Sequence, residues 1–331
     1  MIGMRGRLKE VAIVAVILLV LSFGYFVLSQ PSPSQEGESI FMGPTTTYVF
    51  DCPLPEVPHS VPILNVERID IDRNKAIAIA RGEPFNMAGE LDAIQRPYPD
   101  GGIAIEVRAG FEFDENGKLI GLKGDHMLQL FYEGPVEYNG PGWSGYDYPP
   151  TLSTEEDARK IAEEFLKKVE ESGCFYPKPP LEVVINEVCA GQSTSIGETS
   201  WVDYWTVVYE LRYENMPILG AGGSVSIGAG GTVVGFGAGW RNLTPGPEVE
   251  ITVTPEDAMN ELRSPFMSTP AKMIVEKIEL GYWTKIILES QDRALPVYVF
   301  SGTAVFEDGD EMGFAYPVPA TNLDYPPLYC Y

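Results

Sequence analysis

The strongest constraint on this chain lies near its start. From Val11 to Leu28 the sequence reads VAIVAVILLVLSFGYFVL and carries no charge. At about 1.5 Å per helical residue such a run covers about 27 Å, close to the hydrocarbon thickness of a bilayer. Arg5, Arg7 and Lys9 precede it, and basic residues stay on the cytoplasmic side. The run predicts one transmembrane helix, with the N-terminus cytoplasmic and the bulk of the chain extracellular. A cleaved signal peptide is the rival reading. Signal cores are usually shorter and end in small residues. Here the border is Val27-Leu28-Ser29-Gln30-Pro31, and no cysteine follows to take a lipid. An uncleaved anchor over residues 1–29 is therefore expected, then a linker over 30–60 opening Gln30-Pro31-Ser32-Pro33-Ser34.

The 331-residue chain has a formal net charge of −24. A surface of that sign repels phosphate, so nucleic acid is excluded as a partner, while cationic peptides, basic protein patches and divalent cations are tolerated. Plain surface hydration explains the charge without a charge-specific function; a protein or peptide is the partner expected. Abundant proline and glycine favour turns and short strands over long helices. Cys52, Cys174, Cys189 and Cys330 are the four cysteines. An even number in an oxidising compartment predicts two disulfides. A helix over 154–172 followed by a strand running back over 181–188 would separate Cys174 from Cys189. Each is then expected to bond to Cys52 or Cys330. Neither a metal nor any cofactor is expected from two histidines and no C-x-x-C spacing. Asn242-Leu243-Thr244 is a candidate glycosylation sequon.

Three segments open with a helix start. Ser153 or Thr154 can cap a helix whose first turn is acidic and whose apolar residues Ala158, Ile161, Ala162, Phe165, Leu166 and Val169 share a face. Thr252-Val253-Thr254-Pro255-Glu256-Asp257-Ala258 opens a second, with Pro255 at the first helical position. Asp70-Ile71-Asp72-Arg73-Asn74-Lys75-Ala76 is a fainter third. Each is followed by a strand, a turn and a strand: 104–122, 223–236 and 297–316, with Asn-Gly, Gly-Gly and Asp-Gly at the tips. The expected fold class is α+β: a transmembrane helix, then tandem units of a helix packed on an antiparallel sheet. The units would span 61–150, 151–247 and 248–331.

The order of helix start, sheet and strand–turn–strand resembles PepSY domains and the related YycI/YycH-type extracytoplasmic regulatory proteins. The residues that carry the resemblance are 153–169 with 224–240, and 254–262 with 278–320. Within the last, Leu280-Gly281-Tyr282, Gln291, Leu295-Pro296-Val297-Tyr298-Val299-Phe300 and Tyr316-Pro317-Val318-Pro319 follow in order. It covers the C-terminal half, and residues 61–150 depart from it. The resemblance implies work without catalysis: binding or restraining a sensor kinase, or inhibiting a peptidase. It carries over no catalytic residues.

Motifs for nucleophilic, zinc-hydrolase and phosphate-binding chemistry are missing. The glycines of 220–239 do not fall in G-x-G-x-x-G register. Asp70-Ile71-Asp72 opens like a calcium loop, but Lys75 and Arg81 stand where glycine and glutamate are needed, so a helix cap explains it better. Trp143, Tyr146 and Tyr148, on the loop 138–150, are candidate partner-binding aromatics, with linker packing as the blander reading. The function expected is that of a membrane-anchored, non-catalytic binding or regulatory protein. The alternatives are an envelope hydrolase using paired carboxylates and a structural envelope component.

Overall fold

A computed structural model describes residues 46–113, 119–122, 126–140, 154–196, 199–266, 269–326 and 328. Among the described residues three α-helices form where capping and apolar spacing agree. Asp72 accepts from the Lys75 backbone N–H at 2.8 Å and starts α1 (Arg73–Arg81), which buries Ala76, Ile79 and Ala80. Thr154 accepts from Asp157 N–H at 3.1 Å and starts α2 (Glu155–Glu171). Its acidic first turn suits the positive end of the helix dipole, and Ala158, Ala162, Phe165, Leu166 and Val169 make one buried stripe. Thr254 caps α3 (Pro255–Glu261) in the same way.

Two strands precede α1: β1 (Thr47–Phe50) and β2 (Ser60–Val66). After α1 come β3 (Asp92–Pro97), β4 (Ile103–Arg108), β5 (Phe111–Phe113), β6 (Leu119–Leu122), β7 (Met127–Phe131) and β8 (Val136–Asn139). After α2 come β9 (Leu181–Ile196), β10 (Thr199–Tyr213), β11 (Met216–Leu219), β12 (Gly223–Ile227), β13 (Val233–Ala238) and β14 (Leu243–Glu250). β15 (Lys272–Trp283), β16 (Arg293–Val305) and β17 (Glu311–Pro319) follow α3.

Strand pairing corrects the expectation of tandem, self-contained helix-on-sheet units. β3, β4, β7 and β8 pair antiparallel in order, as do β9, β10, β12 and β13. The two runs then join through β8 and β13, with Tyr138 opposite Phe236. β11 links β10 to β15. β2 lies between β14 and β16. Among the described residues the result is one 15-stranded mixed sheet, with β5 and β6 as a separate ribbon. The physical reason is edge satisfaction. A four-stranded run leaves a row of unpaired N–H and C=O groups, and joining two runs pairs them. Residues Pro44–Tyr331 form one compact unit.

The transmembrane anchor is corrected as well. Among the described residues no helix is long and apolar enough to cross a membrane; the longest, α2, carries charge on every face but one. The run from Val11 to Leu28 lies outside the described residues. The transmembrane helix, the signal-anchor and the extracellular placement expected from that run are supported by no spanning helix among the described residues and are not carried further.

α1 and α2 lie on the same face of the eight-stranded run and share one core. Aromatic rings carry that core across the β8–β13 seam: Phe85 meets Tyr138 at 5.1 Å and Phe165 at 6.1 Å, and Phe165 meets Phe236 at 5.2 Å. A second core lies between α3 and β15–β17, where Tyr298 donates to the Val253 carbonyl at 2.8 Å.

Candidate functional site

A sheet that does not close has edges, and an edge strand presents backbone groups to which another chain can bond. Most edges here are blunted. β1 and β3 are short, and β3 ends in Pro97. β14 contains Pro245 and Pro247, and β17 contains Pro317 and Pro319. Proline removes a donor from the edge. β9 differs: it has 16 residues with neither proline nor lysine. Among the described residues it pairs with β10 alone.

The register sorts the side chains of β9 onto two faces. Leu181, Val183 and Ile185 lie opposite Tyr213, Leu211 and Tyr209, and Val188 opposite Val207, on the α2 side. Val183, Ile185 and Val188 are only partly buried against the core. Glu182, Val184, Glu187 and Cys189 lie opposite Arg212, Glu210, Val208 and Thr206, on the far side. Asn186 is a bulge between these runs. Glu182 and Glu187 are exposed. Arg212, the cation beside them, is already occupied: it bonds Glu210 at 2.6 Å and the Asn215 carbonyl at 2.9 Å. The far side of the edge is therefore acidic.

Two polar networks are the other places where charge is concentrated. On the face of the sheet away from α1, the fully buried Glu106 receives Arg108 on one oxygen at 2.5 Å. Arg96 at 2.5 Å and Gln129 at 2.8 Å donate to the other. Tyr98 donates to Gln129 at 2.8 Å and stacks on Phe131 at 5.4 Å. Burial alone would push the Glu106 carboxyl up; the bonds and charges of Arg108 and Arg96 outweigh it and hold it below the usual range. Glu137, half-buried on β8, is pushed the other way by burial and by Glu106. Carboxyls driven apart in this way can mark an acid–base pair. Here both Glu106 oxygens are taken by protein donors and none is left for a substrate.

The second network is a junction. Buried Arg241 pairs with Glu133 and donates to the carbonyls of Lys285, Ile286 and Glu289. Ser290 Oγ donates to Glu133 at 2.6 Å. Gln291 fixes the same loop by accepting from Lys285 N–H at 2.6 Å. Close by, Gly102 N–H donates to the Leu288 carbonyl at 3.2 Å. A Cβ on Gly102 would sit 2.3 Å from that oxygen. Gly102→Ala should therefore lower stability by about 1–3 kcal/mol, measured as a lower urea midpoint. An unchanged midpoint would show that the 284–291 loop is not held here.

The residues singled out in the sequence do not converge. The expected disulfides are corrected: Cys52, Cys174 and Cys189 are free thiols. Cys174, buried after α2, has its thiol pushed up to about 12, by burial above all. Cys52 packs against the second core. Cys189 lies on β9, its thiol raised by burial and then by Glu187. These cysteines lie in separate packing environments, and Cys330 lies outside the described residues. Asn242 is half-buried, its N–H donating to the Glu133 carbonyl at 2.7 Å and its carbonyl accepting from Glu67 N–H. Trp143, Tyr146 and Tyr148 lie outside the described residues. Sequence reasoning missed the β9 edge, Glu106 and Arg241. The usable signals were a long strand free of proline and lysine, and a glutamate inside the apolar run Ile103-Ala104-Ile105-Glu106-Val107.

No family model matches the chain, and no curated protein does. Among solved structures it is similar to the crystal structure of an uncharacterized protein from Eubacterium rectale ATCC 33656. That match has 10% identity over 84% of this chain and 89% of the other, with a TM-score of 0.40, too low to support any inference.

Proposed function

We propose that this chain is a non-catalytic binding protein that captures an extended segment of a partner protein along β9. One observation carries the reading: among the described residues β9 is a long edge, free of proline and lysine, in a sheet whose other edges are short or blunted by proline. Main-chain bonds along such an edge supply affinity, and alternate side chains supply selectivity. The resemblance to extracytoplasmic regulatory proteins points the same way, toward control of a kinase or a peptidase by contact. The paired-carboxylate reading has Glu106 and Glu137 in its favour, but Glu106 is spent on Arg96, Arg108 and Gln129.

A library of short unstructured peptides, selected against the full chain, tests this. Binders should slow amide hydrogen exchange over residues 181–190 and leave the 284–291 loop unchanged. Protection confined to that loop, or to no strand, would sink the proposal.

A further inference from the structure

We infer that the segment taken up by β9 alternates apolar with basic residues and comes from a different protein, not from a second copy of this chain. The inference rests on the strand-addition reading above. It follows from the two unlike faces that the edge presents.

A strand added beside β9 continues both faces of the sheet, because side chains alternate along it. On the α2 side it would extend the row of Val183, Ile185 and Val188, which the core leaves partly uncovered. Apolar residues at every second position of the partner would complete that burial. On the far side it would lie against Glu182 and Glu187, both exposed. Arg212 cannot balance them, since Glu210 and the Asn215 carbonyl hold it, with Glu279 a further 3.9 Å contact. Opposite charges across a strand pair are favourable, and like charges are not. Lysine or arginine at the remaining positions satisfies this face. A second copy meets the opposite condition. It would bring its own Glu182 and Glu187 to the seam, and each chain carries a net charge of −24. Charge therefore works against self-pairing and in favour of a cationic partner.

The test uses three short peptides on the full chain, alternating Val with Lys, Val with Thr and Val with Glu. Binding is followed by titration and by hydrogen exchange at residues 181–190. The Val-Lys peptide should bind best and protect those amides, and its binding should weaken as salt is raised. Glu182→Gln and Glu187→Gln should each weaken it about two- to fivefold and leave Val-Thr unchanged. Both positions are exposed, so the variants should fold as the parent does. Equal binding of Val-Lys and Val-Thr, both protecting β9, would overturn the cationic partner while leaving strand addition standing. Failure of all three peptides to protect β9 would overturn strand addition itself. Concentration-dependent dimers with protected β9 amides would identify a second copy as the occupant and reject the inference.

Discussion

Arg241→Ala should destabilise the protein by about 3–5 kcal/mol, the usual cost of leaving one half of a buried ion pair alone. The residue is 1% exposed. Its guanidinium joins Glu133, in the turn between β7 and β8, to the carbonyls of 285, 286 and 289 in the loop before β16. Removing it leaves Glu133 with Ser290 Oγ and the Gln291 N–H but without its cation, and takes a donor from three carbonyls, of which that of Ile286 keeps the Glu289 N–H. Arg241→Lys should recover only part of the loss, because a single ammonium cannot reproduce the planar fork. Urea titration of both variants checks this. A loss below about 1 kcal/mol, the level of a surface pair, would mean that the junction does not hold the loop.

Glu106→Ala should cost a similar amount, about 3–5 kcal/mol, for the same reason. Arg108, largely buried, would lose its carboxylate, and Gln129 would lose its acceptor. This site also predicts a pH dependence. Glu106 is held below the usual carboxylate range in the folded chain. Its contribution is therefore present above its unfolded value and is lost as pH falls through the lower folded one. Glu137 is raised by burial and by Glu106, so the opposite applies. Its neutral form is favoured in the fold, and stability is lost as pH rises through the raised value. Denaturation curves across acidic and neutral pH should show the acid-side loss in the parent and not in Glu106→Ala. Glu137→Gln should remove the loss on the rising side. An acid limb unchanged in Glu106→Ala would contradict the assignment.

Local chemistry made the helices legible. Asp72, Thr154 and Thr254 each sit where a capping side chain precedes an apolar stripe, and each caps a helix. The hairpins of β12 with β13 and of β16 with β17 follow from turn residues and alternation. What joins the sheet was not legible. Tyr138 lies opposite Phe236, almost a hundred positions away, and no local pattern marks that pairing. The same holds for Ile218 opposite Tyr282. Cysteine count misled because evenness says nothing about proximity: Cys52 packs against the second core, while Cys174 lies in the first and Cys189 rides an edge strand. The candidate site escaped notice because an edge is defined by the neighbour it lacks. The composition of residues 181–196 carries the hint, but only the topology shows that β9 stands at the rim.

Alternating N-methylation of a bound peptide gives the most direct test of strand addition at β9. In an added strand every second N–H points at β9 and the others point away. Two versions of one binding peptide, methylated at opposite sets of alternate residues, separate the two roles. Strand addition predicts that one version loses more than about tenfold in affinity, since several main-chain bonds go at once, while the other binds like the parent. Equal affinity of the two versions, whether both retained or both lost, would contradict it.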